Sequence, residues 1–342
     1  MKRTILFCLF TFLLFSCQSE KNNNSLINDF SFDIPLANDI DDLLGSNMRT
    51  IQLDTLEEAL VGRVNKIIKH DNSFYIFSDN SKILHFDNNG KFISSIDKKG
   101  GGPGEYSMLS DFNVYSRNGN IEIWICDFKT IRKYALSGND WNHIENIDFE
   151  FVINKFHIIS DKLLLLTGQN EETLMLTDIT GKEISSTLKK EIPYIIERPV
   201  QFINFDSYFI FQLGISNEGV ALDTRDFSFE RQNITGNKQF FTSKNLLDLF
   251  DKLGQDYIAE IPKTNCIRGF SKINDNICLN YHYDGEHYIA INRNGVWKRM
   301  KVDTNNNISI STLTASESSD SFIRYEYPED DNRNLVLHEH MQ

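Results

Sequence analysis

Cysteine is scarce in this 342-residue chain, and its placement rules out two kinds of protein. Cys8 falls inside an apolar leader and Cys17 at the leader's end, which leaves Cys126, Cys266 and Cys278. Three thiols cannot complete a disulfide framework, and their spacing fits no metal motif. Basic residues are also short, at 35 against 48 acidic, so the formal charge is -13 and no Lys/Arg cluster interrupts it. That balance argues against a nucleic-acid partner and against electrostatic adhesion to anionic lipid. Neither a Gly-x-Ser-x-Gly elbow nor an HExxH helix occurs. The apolar run from Thr4 to Ser16 is too short to span a bilayer.

What is present is a repeat. Val64 to Ile96 reads as four short apolar strands separated by the turns His70 to Ser73, around Asp79-Asn80, and Asp87-Asn88-Asn89-Gly90. Aligned on the third strand and its following turn, ILHFDNNGKFISSI is succeeded by IRKYALSGNDWNHI, LMLTDITGKEISST, VALDTRDFSFERQNI and YIAINRNGVWKRMKV. The turn positions Gly90, Gly138, Gly181, Asp226 and Gly295 are 48, 43, 45 and 69 residues apart. Four strands at a period of about 40 to 50 residues predict a β-propeller. The first strands carry large apolar residues three apart, Val64 and Ile67, Phe112 and Tyr115, Phe156 and Ile159, Phe202 and Phe205, Phe270 and Ile273. With 26 Phe and 12 Tyr in the chain, rings packed between neighbouring blades are the expected core.

Five modules are visible in the repeat, and the two ends of the chain supply a sixth. Residues 48–55, MRTIQLDT, form a strand without a hairpin partner, while SFIRYEY and NLVLHEH near the C-terminus supply two more. Joining them closes the ring and removes exposed sheet edges. The expectation is an all-β, six-bladed propeller of four-stranded antiparallel blades, spanning residues 31–342, with its last blade made from both termini. Ahead of the closing strand, IPLANDIDDLLGSN predicts a brief helix capped by Asn38 or Asp39 and stopped by Gly45. One insertion, at about 240–262, breaks the period: Ser243 is placed to cap KNLLDLFDKL and Gly254 to end it. Its Leu246, Leu247, Leu249, Phe250 and Leu253 lie along one helical face. Such a helix is either a lid or docking element, or a cover for apolar surface.

The N-terminal leader, residues 1–16, has the layout of a secretory signal, with Lys2 and Arg3 before the apolar run. It ends in Leu14-Phe15-Ser16-Cys17, which resembles a bacterial lipobox, although Phe15 is larger than the residue usual there. Cys17 is then the lipidated first residue of the mature protein, followed by a polar, Asn-rich tether to about residue 30. The alternative is ordinary signal cleavage with Cys17 a bystander.

DDLLGSNMRTIQLDT leading into the first blade, ILHFDNNGKFISSI, and Lys99-Gly100-Gly101-Gly102-Pro103-Gly104-Glu105-Tyr106 followed by Asp111-Phe112 together resemble the NHL-like six-bladed propeller lipoproteins of Bacteroidetes. The closing strand NLVLHEH departs from that family's ending, where a Pro precedes the apolar residues. The resemblance implies an exported protein anchored by lipid to the cell envelope, on the outer membrane, with the periplasmic or surface side left open. It implies no cofactor. Asp54-Thr55-Leu56 resembles the O-glycosylation sequon of the same bacteria.

Two sites follow from the residues. Gly102, Pro103, Gly104, Glu105 and Tyr106 are expected to make a bent crossing between blades with Tyr106 as a plug; the alternative is a nest of backbone N–H groups for an anion. The second positions of the first strands, Asn65, Asn113, His157, Ile203 and Ser271, form a mostly polar column expected to line the channel. That column has no carboxylate, which argues against a catalytic calcium site. His338 and His340 beside the chain end read as a solvated edge. His282 and His287 flank the hairpin turn Asp284-Gly285. The functional expectation is a module that binds an envelope protein, peptide or glycan. The alternative is a lactonase-like hydrolase or lyase working in the funnel.

Overall fold

Short turns set the blade. The first hairpins of four modules close over two residues, with His70 paired to Ser73, Ile159 to Lys162, Phe205 to Tyr208 and Ile273 to Asn276. The first turn residue is left-handed in each, at Asp71, Ser160, Asp206 and Asn274. Polar residues of this kind tolerate that region because their side chains bond local backbone. The outer turns place Gly90, Gly138, Gly181 and Gly295 at positive φ, but in the fourth module Phe227, and not the expected Asp226, holds that position.

The computed structural model describes residues 25–117, 119–167, 173–187, 202–302, 314–315, 321–327 and 335–341. The signal segment and Cys17 lie outside the described residues. Within them, strand β1 (Ser25–Ile27), helix α1 (Ile40–Leu44) and strand β2 (Met48–Gln52) precede the repeats. Blade 1 is β3 (Val64–His70), β4 (Ser73–Ser78), β5 (Lys82–Asp87) and β6 (Phe92–Ile96). Blade 2 is β7 (Asp111–Arg117), β8 (Asn120–Asp127), β9 (Thr130–Ser137) and β10 (Asp140–Asp148). Blade 3 is β11 (Ile153–Ile159), β12 (Lys162–Thr167), β13 (Thr173–Asp178) and β14 (Glu183–Thr187). Blade 4 is β15 (Phe202–Phe205), β16 (Tyr208–Gln212), β17 (Glu218–Asp223) and β18 (Phe229–Thr235). Blade 5 is β19 (Cys266–Ile273), β20 (Asn276–Tyr283), β21 (Glu286–Arg293) and β22 (Val296–Lys301). Blade 6 is β23 (Thr314–Ala315), β24 (Ser321–Glu326) and β25 (Val336–Met341), with β2 as its outer strand. The six-bladed fold and its two-ended closure are as the repeat predicts.

Six apolar clusters fill the gaps between neighbouring blades, including that between blades 6 and 1, where Ile51, Ile67, Ile76, Ile323 and Leu337 meet. The expected ring residues Phe112, Phe156, Phe202 and Phe270 are all buried. Cys126, Cys266 and Cys278 are free and buried, as small apolar side chains.

Two boundaries differ from the sequence expectation. The fold begins inside the supposed tether: Ser25 and Ile27 pair in parallel with Asn233 and Thr235, so β1 is a fifth strand on blade 4. Ile27, Phe30 and Phe32 are buried because their apolar side chains fill the gap between blades 4 and 5. The insertion, in turn, is a succession of segments: α2 (Ser243–Leu253), a 3-10 turn, α3 (Tyr257–Glu260) and a second 3-10 turn. Thr242 and not Ser243 caps it, in a reciprocal box with Asn245, and Gly254 ends α2 as expected. Leu246, Tyr257 and Ile261 cover Cys266, whereas Leu247 stays outside that cluster. Asp39 caps α1 and Gly45 ends it, as the sequence predicts.

Closure is reinforced by charge. Glu339 on β25 is buried and accepts from Arg49 of β2 at 2.8 Å, from Ser321 at 2.7 Å and from Lys69 of blade 1. Burial by itself would raise the Glu339 carboxyl, but the Lys69 and Ser321 hydrogen bonds outweigh it, and the net direction is down. A lowered carboxyl adds stability above its unfolded value, near 4.5, which is lost as pH falls further. Glu339→Gln is therefore expected to lower unfolding free energy by about 3 kcal/mol at neutral pH, because two cations lose their counter-ion. Urea titrations should show the deficit shrinking below pH 4.5; a deficit independent of pH would refute the ionic account.

Candidate functional site

The glycine-rich crossing is built from hydrogen bonds within itself and to both blades it joins. Tyr106 N–H donates to Lys98 O and Gly100 N–H to Tyr106 O, both at 3.0 Å, which folds the loop back on itself. The Glu105 carboxylate accepts from Gly102 N–H at 2.7 Å. The loop thus supplies its own anion to the N–H group that a foreign anion would use. Gly104 has φ +75°, and a Cβ there would lie 2.8 Å from His143 Cβ, so glycine is required. Tyr134 reaches over from blade 2 and donates to Gly104 O at 2.9 Å.

Tyr106 is the plug between blades 1 and 2. Its ring lies in the apolar cluster with Ile68, Tyr75, Phe112 and Trp141. Its hydroxyl donates to Ser81 O, with Ile96 O a second acceptor 3.2 Å away, and accepts from Lys98 N–H at 3.2 Å. Burial raises the phenol far above its ordinary value, so it is a neutral donor at every relevant pH. In the same cluster region His85 stacks on Tyr75 at 4.4 Å, and burial pushes it down to about 4, against a smaller upward pull from Asp87.

A buried carboxylate from the end of β8 meets the residues that follow Tyr106. Asp127, at the end of β8, is buried and accepts from Ser107 N–H at 3.2 Å, Ser107 Oγ at 2.9 Å, Met108 N–H at 2.9 Å and Arg132 Nε at 2.8 Å. It fixes a ledge on which Met108 and Phe128 are each 47% exposed. Phe128 has φ +61°, a region unfavourable for a bulky side chain by about 1–2 kcal/mol. Ile153 N–H donates to Phe128 O at 2.8 Å and holds the strained residue in place.

The polar column does not form one level. Counted back from the two-residue turns, His157, Ile203 and Ser271 align with Ile68 of blade 1, while Asn113 lies two residues further from its turn at Arg117. Asn65 lies at a bulge between Val64 and Lys66 and accepts from Asn80 N–H at 3.1 Å. Asn113 and His157 each reach a neighbouring blade, and Ile203 lies in the cluster between blades 4 and 5, because the two faces of a blade pack against the blades on either side. Asn113 is buried and donates to Phe156 O of blade 3 at 2.8 Å. His157 packs 4.6 Å from the Phe209 ring of blade 4. Ser271 stands opposite Cys278, whose thiol is pushed up to about 12 by burial, with the Ser271 hydrogen bond acting the other way.

The charges among the inner strands are likewise engaged. Lys66 donates to Phe112 O at 2.8 Å and to Asp111 Oδ1 at 3.2 Å, and Asp111 accepts from Phe156 N–H at 3.1 Å. Asp111 thereby links three blades; its only sequence signal is its place just after the crossing. His338 and His340 are not a solvated edge, because β25 is flanked by β2 and β24 and both rings are buried. His338 lies 2.9 Å from Glu326, and burial holds His340 below the usual imidazole range. His282 and His287 stack at 4.7 Å beside the expected Asp284-Gly285 turn. Thr55 is exposed, while Asp54 accepts from Phe92 N–H at 2.9 Å. Among the described residues no three His, Cys, Asp or Glu side chains converge to hold a metal ion.

Two outcomes test this arrangement. Tyr106→Phe should cost about 1–2 kcal/mol, for its lost hydrogen bonds, and Tyr106→Ala about 3–5 kcal/mol, for the cavity, in urea unfolding. Equal small losses would mean the ring is no plug. Because His85 is held neutral, the unfolded chain binds the proton first, so stability falls as pH drops below 6.5 towards 4. Between pH 7 and 5 this histidine should account for roughly 2 kcal/mol of loss, which His85→Gln should remove. A variant as acid-sensitive as the parent would exclude that source.

Comparison with known proteins agrees with the fold. A protein of Bacteroides fragilis NCTC 9343 with the provisional name exported protein superposes with a TM-score of 0.66 at 15% identity, over 92% of this chain and 99% of its own. A luciferin-regenerating enzyme gives 0.48 at 11% identity, over 86% and 95% of the two chains. No functionally curated protein matches. The family model described as Domain of unknown function (DUF4934) matches residues 33–334, and the chain belongs to that family.

Proposed function

We propose that this protein is an NHL-like lipoprotein of the cell envelope, anchored through Cys17 to the outer membrane, that binds a protein, peptide or glycan. The binding face is the one carrying the inter-blade crossings and the helical insertion. The single observation behind this is the ledge of Met108 and Phe128, where a buried carboxylate and a strained backbone hold two apolar side chains out to water. Fold stability alone gives no reason to keep an exposed aromatic in an unfavourable backbone region. Engagement of Asn113, His157 and Lys66 between blades leaves the face, more than the channel, as the place for recognition. The exported name of the structurally similar B. fragilis protein fits an envelope location. No helix among the described residues is long and apolar enough to cross a membrane, so attachment in this reading rests on lipid.

The test is a thermal-shift series on protein lacking residues 1–24, with envelope peptides, glycans, divalent metals and EDTA added separately. A partner at about 100 times its dissociation constant adds roughly 2.7 kcal/mol. Stabilisation by a peptide or glycan, abolished in Phe128→Asn, is the expected result. Asn suits the left-handed backbone, so that variant should be at least as stable as the parent without ligand. A midpoint raised by metal and lowered by EDTA would favour the hydrolase or lyase reading instead.

A further inference from the structure

The N-terminal segment is a strap around half the rim. It starts as β1 on the outer edge of blade 4, where Ser25 and Ile27 pair with Asn233 and Thr235, and Gly236 N–H donates to Ile27 O at 3.0 Å. Phe30 and Phe32 then enter the aromatic cluster between blades 4 and 5. Phe30 meets Tyr281 and Trp297 at 5.3 Å each, and Phe32 stacks on Tyr283 at 3.9 Å. Next the strap pairs with blade 5, with Ala37 N–H to Arg299 O at 2.7 Å and Arg299 N–H to Pro35 O at 2.9 Å. It ends as β2, the outer strand of blade 6. Ser25 is therefore tied to one point of the rim, on the outer edge of blade 4.

We infer that the outer edge of blade 4 is the membrane-proximal edge of the disc, with blade 1 held away and both faces open to partners. This rests on the reading of Cys17 as the lipidated residue. Between Cys17 and Ser25 there are eight peptide spacings, at most about 28 Å when fully extended and roughly 16 Å as a flexible coil. A chain of this size folds to a body about 50 Å across. The tether is thus shorter than the disc, and blade 1, across the ring from blade 4, sits further from the lipid by up to a disc diameter. The net charge of -13 opposes flat adhesion of either face to an anionic surface.

Energy transfer on vesicles tests this. The full chain, lipidated in a bacterial host and reconstituted in vesicles containing an acceptor-labelled lipid, would carry one added cysteine. Lys238→Cys marks the blade 4 rim and Asn89→Cys the outer turn of blade 1, and both native residues are exposed. Cys126, Cys266 and Cys278 are buried, so only the added thiol takes the donor dye. Transfer from position 238 is expected to exceed that from position 89 by about two-fold or more. Equal transfer, or more from 89, with the protein floating on the vesicles, overturns the orientation and leaves the anchor intact. Full-length protein that fails to float with vesicles overturns the lipid reading and the orientation with it.

Discussion

The outer strand of blade 6 comes from residues 48–52, at the opposite end of the chain from β24 and β25 of the same blade. Until β2 pairs with β25, blade 6 has an open edge, and the apolar cluster shared by blades 6 and 1 lacks Ile51 and Leu53. The Glu339 carboxylate ties the same joint by accepting from Arg49 on β2 and Lys69 on β3, one on each side of the seam. Gly90 adds a steric condition, since a Cβ there would lie 2.2 Å from Gln52 O, and Asp54 N–H donates to Gly90 O at 2.9 Å. Blade 1 therefore rests its outer turn on the closing strand. Each blade packs against two neighbours, so a ring closed this way leaves no sheet face without a partner.

That constraint explains where the polar residues went. The faces of the inner strands border the gaps between blades, so polar side chains such as Asn113 and Lys66 meet the next blade. Asn113 satisfies Phe156 O, Lys66 satisfies Phe112 O, and Asp111 joins both strands. Buried groups of this kind stabilise only when fully bonded, and they fix the relative rotation of adjacent blades. The crossing and the β8–β9 turn beside it are under no such demand on their outer side, and there the chain exposes Met108 and Phe128.

Much of the architecture was legible because it depends on short-range rules. Turn residues such as Asp284-Gly285, the cap at Asp39 and the period of the modules are local, and they read correctly. The column did not come out at one level because it depends on strand register: a bulge sets Asn65 apart, and Asn113 lies two residues further from its turn than His157 does. The burial of His338 and His340 was hidden for another reason: a strand near the chain end looks like an edge until its partner, 288 residues away in the case of Thr50 and His338, is known. The ledge at Asp127 had no sequence signal beyond an aspartate ending a strand. Phe128 looks like an ordinary core aromatic until its backbone angle and exposure are seen.

Native-state hydrogen exchange of β2 tests the closed ring most directly. If the ring is one cooperative unit sealed by residues 48–52, the bonded amides of β2 exchange only through the global opening, with the same free energy as those of β24 and β25. If β2 amides exchange through a cheaper local opening while the inner strands of blade 1 stay protected, the closing strand is an appendage and the account fails.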